Sequence, residues 1–342
     1  MSTEPSNTNY LPKKCDIPKP IATSILQLIE APIFSSDNYI GYGGYGSKQG
    51  TLQLIVNADD SNWNGAIIYQ SQDGKNYKPL FTTTNQAISG FLLNNFLPAS
   101  SLIIDNQNII VIQLLHGRLQ TVNELTLLNG ANKALIGNEL IQFQEAELIG
   151  SNKYKLSKLL RGRQGTEWAI NNHQIGDRFI MLTDATTLIP INNNLIGRPI
   201  HYKAVSIGKT LAETTPVTFT YTGKCLKPFA PVHVTAKHDE NYNIIISWIR
   251  RARVDNEWHD YVDTPINKEF EKYEIDIKRD QQLVRILESS CQSVIYSKEQ
   301  QLADSTVTNQ SLIARNLTAT IYQLSSLVGR GYETTISLDN IN

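Results

Sequence analysis

The sequence predicts a mainly β chain of several modules, sandwich- or barrel-like, ending in an immunoglobulin- or fibronectin-like β-sandwich. Three observations carry that expectation. Apolar and polar residues alternate with period two over most segments, the pattern of half-buried strands. Asn, Gly and Ser recur at intervals of about 8–12 residues, the turn rhythm of all-β domains. Helical periodicity sustained over several turns is scarce. The length, 342 residues, suits two or three domains of ordinary size.

Taken in order, residues 1–18 are polar and broken by proline, and a disordered lead is expected there. The stretch "IATSILQLIEA" (21–31) fits either a strand or one or two helical turns. Strands are expected within "TLQLIVNAD" (51–59) and "GAIIYQSQDGKNYKPLF" (65–81), the latter folded at Asp73-Gly74, a hairpin signal. Further strands are expected within 101–115, 135–160, 177–185 and 198–208, with turns at Asn106-Gln107 and Gly150-Ser151. These runs divide into a β domain over 19–98 and a second over 99–222. Pro228 and Pro231 mark a break in pattern near 222–232. The unit 228–342 then holds seven strand-like runs, enough for one sandwich. Its expected core is Val232, Val234, Ile244, Ile246, Trp248, Tyr273, Ile275, Ile277, Leu283, Ile286, Ile295, Ile321, Ile336 and Leu338. Trp248 in its second strand, Tyr273 in its third and a late strand running into "GRG" resemble a fibronectin type III domain. The best helix is 297–305, with Ser297 as N-cap and Gln300 at capping-box spacing.

Charge gives no reason to expect a nucleic-acid or anionic-membrane partner, because 31 Lys and Arg nearly balance 32 Asp and Glu. Cys15, Cys225 and Cys291 are odd in number and far apart, which fits neither a disulfide framework nor a zinc site. No stretch reaches the roughly 18 apolar residues of a membrane span, and the N-terminal residues lack the apolar run of a signal peptide.

Several motifs suggest chemistry and fall short of it. "GYGGYG" (41–46) matches G-x-G-x-x-G, but a strand-like run follows where a dinucleotide fingerprint needs a helix. "DSNWNG" (60–65) begins like an EF-hand loop, yet its twelfth position is Ser71, so Asp60, Asn62 and Asn64 read as turn residues. His116, His173, His201, His233, His238 and His259 form no metal-binding spacing. No cofactor and no metal are expected. The charged stretch "IRRARVDNEWHDYVD" (249–263) reads first as a self-neutralised loop. Its Arg250, Arg251, Arg253, Trp258 and Tyr261 are also the residues a partner-binding loop would use.

The stretch "LLRGRQGTEWAINNHQIGD" (159–177) admits two readings. A catalytic one would use Glu167 as acid or base, His173 as its partner and Asp177 to orient it, but it offers no nucleophile. A structural one is more complete. Arg161, Gly162, Arg163 and Gly165 form a tight turn with glycines at positive φ, and Thr166 caps a short helical turn that begins at Glu167. Arg161 or Arg163 would then pair with Glu167.

This same stretch resembles the LLRG-x-x-GTE signature of a large tail protein of gene transfer agents and related siphophages, the tail-tip or baseplate hub component. Other pieces agree in order along nearly the whole chain, at 130–148, 202–233, 247–277 and 328–338. The resemblance implies a non-enzymatic structural component of a phage-like tail, made in the cytoplasm and carried in a virion-like particle. It implies other tail and baseplate proteins as partners, a homo-oligomeric (trimeric) assembled state, and contact with cell-surface glycan. Members of that family carry an upstream barrel domain resembling glycoside hydrolases, so this chain looks like the C-terminal portion. The rival expectations are a cell-wall glycan hydrolase fragment and a carbohydrate-binding module.

Overall fold

A computed structural model describes residues 21–30, 50–58, 63–183, 185–252, 271–305, 316–339 and 341. The motif at 41–46, Asp60 and Asn62 of the EF-hand-like stretch, Cys15, His259, and Arg253, Trp258 and Tyr261 of the charged loop lie outside the described residues. The fold is mainly β, as expected, with 20 strands and two short helices among the described residues.

The first unit packs two antiparallel sheets. One is β1 (Ser24–Ile29), β2 (Gly50–Ala58) and β11 (Thr187–Ile191), in the order β1-β2-β11. The other has the order β13-β12-β3-β4, from β3 (Ala66–Ser71), β4 (Lys78–Thr83), β12 (Pro199–Ser206) and β13 (Val217–Thr220). Leu28, Leu52, Leu54, Ile68, Ile200 and Tyr202 fill the space between them. The described part of that stretch, 21–30, thus contains strand β1, held against β2 along its length. At the β3–β4 turn Gly74 takes φ 69°, and Asp73 Oδ1 accepts from the Lys75 and Asn76 amides at 2.9 and 2.8 Å.

Between β4 and β11 the chain builds a closed barrel of order β10-β5-β6-β9-β8-β7. Its strands are β5 (Ser89–Leu92), β6 (Ile110–His116), β7 (Lys133–Ile136), β8 (Glu139–Gly150), β9 (Lys153–Leu160) and β10 (Arg178–Met181), with helix α1 (Glu124–Leu128) before β7. Phe143, Phe179, Ile110, Ile112 and Leu156 fill its interior. Closure removes the sheet edges that six short strands would otherwise leave unpaired.

The expected division at 98/99 is therefore corrected. Residues 187–220 complete sheets begun at 24–83, with β12 pairing β3 from Ser206↔Ala66 to His201↔Ser71 and β11 pairing β2. The barrel is inserted within the first unit. Period-two alternation shows that a segment is a strand but not which strand it pairs with.

The C-terminal unit is a sandwich of three and four antiparallel strands, the fibronectin type III-like arrangement the sequence suggested. The three-stranded sheet is β14 (Val232–His238), β15 (Ile244–Ile249) and β18 (Ser293–Tyr296). The second sheet, of order β17-β16-β19-β20, comprises β16 (Tyr273–Arg279), β17 (Gln282–Ser289), β19 (Leu317–Ser325) and β20 (Gly329–Ser337). Trp248 meets Tyr273 edge-on at 4.9 Å inside a core of Ile244, Ile246, Ile275, Ile277 and Ile321. Three expected core residues, Leu283, Ile286 and Ile295, face outward instead, and Leu287 and Tyr296 point in. A register shift between Ile277 and Lys278 disrupts the alternation of β17, so counting by twos along it misplaces its faces. Helix α2 (Lys298–Ala303) has the expected capping box between Ser297 and Gln300.

Candidate functional site

Strand β9 ends at Leu160, and the chain then turns sharply through the residues singled out in the sequence. Both glycines of the turn need the left-handed region: Gly162 has φ 57° and Gly165 φ 83°. Gln164 between them also takes positive φ, 51°. Two 3-10 turns follow, Arg163–Gly165 and Glu167–Ala169.

Arg161 has no solvent exposure. Its Nε and Nη2 donate to the two oxygens of Glu139, both at 2.8 Å, in a bidentate pair. Nη1 donates to Asp105 Oδ2 at 3.3 Å and to the Leu97 carbonyl at 3.2 Å. Glu139, equally buried, also accepts from the Gly162 amide at 2.7 Å and lies 2.5 Å from His173 Nε2. Phe96 covers the cluster, stacked on His173 at 4.3 Å between centroids and beneath the Arg161 guanidinium at 4.6 Å. Burial alone would push the Glu139 carboxyl up; its bonds to His173, Arg161 and Gly162 outweigh that and hold it below its usual range. Asp105 follows the same logic: burial raises it, while the Asn108 and Gln107 donors and Arg161 bring it down.

These contacts correct the expected pairings. Neither Arg161 nor Arg163 pairs with Glu167. Arg161 takes Glu139, and Arg163 Nε donates to Gln142 Oε1 at 3.1 Å. The Thr166 hydroxyl makes no cap; it accepts from the Leu140 amide at 2.9 Å and donates to the Arg163 carbonyl at 2.8 Å. His173 meets Glu139 rather than Glu167, with Asp177 Oδ2 3.4 Å from its other ring nitrogen. Glu139 itself was missed. The available signal was a carboxylate opening the apolar run "ELIQF" directly after a Gly-Asn turn.

Glu167 points the other way, to the C-terminal sandwich. Its Oε1 accepts from Arg251 Nη2 at 2.8 Å. The Arg251 guanidinium lies over the Phe229 ring at 5.1 Å, and a Cβ built on Gly165 would sit 2.3 Å from that ring. Trp168 stacks on Tyr332 of β20, with centroids 5.4 Å apart and planes within 11°. The Tyr332 amide donates to the Pro228 carbonyl at 2.9 Å, tying β20 to the connecting segment. One face of the turn is thus locked into the barrel while the other seats the sandwich.

Of the residues named for a partner-binding loop, the two described arginines have partners within the chain. Arg250 is 7% exposed and donates to Glu271 at 3.1 Å, and Arg251 is engaged with Glu167. Both are used within the chain.

A cleft of about 440 Å³ opens beside β1, β10 and β13, lined by Glu30, Asn138, Asp177, Arg178, Phe219 and Lys224 among others. Of the three residues in the catalytic reading only Asp177 lines it. Among the described residues no cluster of three or more His, Cys, Asp or Glu is placed to hold a metal ion. Among them, too, no helix is long and apolar enough to cross a membrane.

A family model described as Rcc01698-like, C-terminal matches residues 87–180. That span is nearly coextensive with the barrel, β5 through β10, and includes the whole 159–177 stretch. No curated protein matches. Among solved structures, the chicken CNTN1 FN1–FN3 fragment aligns over 91% of this chain and 95% of its own, at 9% identity and a TM-score of 0.21. A score that low carries no argument about function or domain arrangement.

Proposed function

We propose that this chain is a structural component of a phage-like tail tip, of the baseplate-hub type found in gene transfer agents. Within it the 161–168 turn acts as the joint that fixes the C-terminal sandwich on the barrel. The observation that carries the reading is the coincidence of the family match at 87–180 with the barrel that bears this joint. The two-faced construction of the turn supports it. Arg161, Gly162 and Thr166 are committed to the barrel, and Gly165, Glu167 and Trp168 to the sandwich. Such a turn suits a part whose task is to hold modules in fixed relation. On this reading the partners are other tail and baseplate proteins, the assembled state is homo-oligomeric, and the location is a tail particle.

The test is particle association. Particles prepared from cells that express the tagged chain should carry it at one end of the tail by immunogold labelling. Particles that form normally without it, and never contain it, would overturn the reading. Turnover of peptidoglycan or model glycosides by the purified protein, abolished by Glu167→Gln, would establish the hydrolase alternative instead.

A further inference from the structure

The chain has two Asn-Gly pairs with matched surroundings, Trp-Asn-Gly-Ala over 63–66 and Leu-Asn-Gly-Ala over 128–131. By local sequence the two are equivalent, but the fold treats them differently. Asn129 is the C-cap of α1, where its amide donates to the Leu125 carbonyl at 3.0 Å. The Gly130 amide donates to the Leu127 carbonyl at 2.9 Å, and the Ala131 amide to the Thr126 carbonyl at 3.1 Å. These successive nitrogens are committed to closing the helix.

Asn64 lies just before β3, outside any helix or strand, and is exposed. Among the described residues its side chain has no hydrogen-bond partner, and the Gly65 amide donates to none. Gly65 is held by its other end, where its carbonyl accepts from the Ile207 amide at 2.9 Å. The position requires glycine, because its φ is 115° and a Cβ would lie 2.7 Å from the Thr83 carbonyl oxygen. The pair thus sets an uncommitted backbone nitrogen, unscreened by any side chain of its own, next to an uncommitted carboxamide.

We propose that Asn64 is a site of spontaneous covalent modification, deamidation through a succinimide. The Gly65 nitrogen attacks Cγ of Asn64 and a new C–N bond forms. The Cγ–Nδ2 bond breaks, and Nδ2 leaves as ammonia, taking up the proton that the Gly65 amide releases to solvent. Water then adds to either carbonyl of the imide and leaves aspartate or isoaspartate at position 64; nothing is oxidised or reduced. At Asn129 the same attack must first break the bond from Gly130 to Leu127. The isoaspartate product routes the main chain through the side-chain carbon, adding an atom between two anchors. One is Trp63, whose Nε1 donates to Ser24 Oγ at 2.8 Å, and the other is Gly65 on Ile207. Ser24 opens β1 and Ile207 follows β12, so the change falls where the two sheets of the first unit meet. This inference is independent of the proposed function.

The test is to age the full chain in mildly alkaline buffer and follow both sites by peptide mapping with mass spectrometry. Deamidation at Asn64 should outpace that at Asn129 by about fivefold or more, the factor by which a hydrogen bond of ordinary net strength holds Gly130 back. Isoaspartate should appear at position 64 alongside aspartate, because the imide opens at either carbonyl. In concentrated urea the two sites should react at similar rates, since only the fold distinguishes them. Asn64→Gln should abolish the reaction at position 64 and leave that at Asn129 unchanged. Native rates that are equal, or faster at Asn129, overturn the proposal. So does a preference for Asn64 that persists in urea, which would assign it to the flanking residues, or a product free of isoaspartate, which would mean direct hydrolysis without attack by Gly65.

Discussion

Glu139 shows what a carboxylate requires when it has no access to water. Both of its oxygens are answered, by Arg161, the Gly162 amide and His173, and these partners hold it ionised against the penalty of burial. Removing one member leaves an uncompensated buried charge. Arg161→Ala should therefore destabilise the barrel by about 3–5 kcal/mol, whereas Glu167→Ala, whose pair with Arg251 is partly solvated, should lose no more than about 1 kcal/mol. Urea unfolding followed by circular dichroism measures both; equal losses would contradict the assignment of roles. The pH dependence follows from the depressed carboxyls of Glu139 and Asp105. Their contribution is fully present above the ordinary carboxylate values, roughly pH 4, and is lost as pH falls through their lower folded values. Glu139→Gln should be less stable at neutral pH and show a flatter decline on acidification, read from urea midpoints between about pH 3 and pH 7.

At the scale of elements, the turn is a joint because its two faces serve different units. Gly165 lies under Phe229, where a Cβ would overlap the ring at 2.3 Å, and its φ of 83° resists any L side chain. Gly165→Val should therefore lift Phe229 and separate Trp168 from Tyr332, while the Arg161 cluster on the opposite face is kept. The expected readout is a change in tryptophan emission together with faster amide exchange at 228–230 and 330–333. Exchange unchanged in those segments would show that the seat does not depend on this approach. Local features were legible in the sequence. The glycines announced positive φ, and Ser297 with Gln300 announced a capping box, because the partners lie within a few residues. The ion pairs were not. Arg161 finds Glu139 across 22 residues, His173 finds it across 34, and Arg251 finds Glu167 across 84. Glu167 is nearer to Arg161 in sequence, but the barrel places Glu139 beside the end of β9, through β8–β9 pairing that reaches Gln142↔Leu160. The insertion of the barrel was hidden for the same reason, since β3 and β12 resemble any other alternating strands until their pairing is known.

Across the whole molecule, the question is whether the sandwich is an independent unit or depends on its seat. Its core, from Ile244 to Leu338, shares no buried residue with the cores of the barrel or the first unit. Among the described residues its contacts with the rest include the joint, the connecting segment around Pro228 and Phe229, Tyr332 against Lys224 and Lys227, and Val328, which packs against the core of the first unit. Separate cores joined by a small, mixed polar and aromatic contact predict separate unfolding. Trp248→Ala removes the aromatic centre of the sandwich and should cost that unit about 3–5 kcal/mol, with the barrel transition left in place. The two can be told apart by residue-resolved hydrogen exchange. Amides of β15, β16 and β19 should lose protection in the variant, and those of β6, β8 and β9 should keep it. The expressed segment 228–342 should fold alone, with dispersed one-dimensional NMR signals, because its core is supplied from within. The docked connection also alters where protease should act. Phe229 is buried against Gly165, and the Pro228 carbonyl is bonded to Tyr332, so cleavage near 228–230 in the intact chain should be slow and should accelerate in Gly165→Val. Loss of barrel protection in Trp248→Ala would mean that the seat transmits stability between the units, and that the joint couples the two cores rather than merely orienting them.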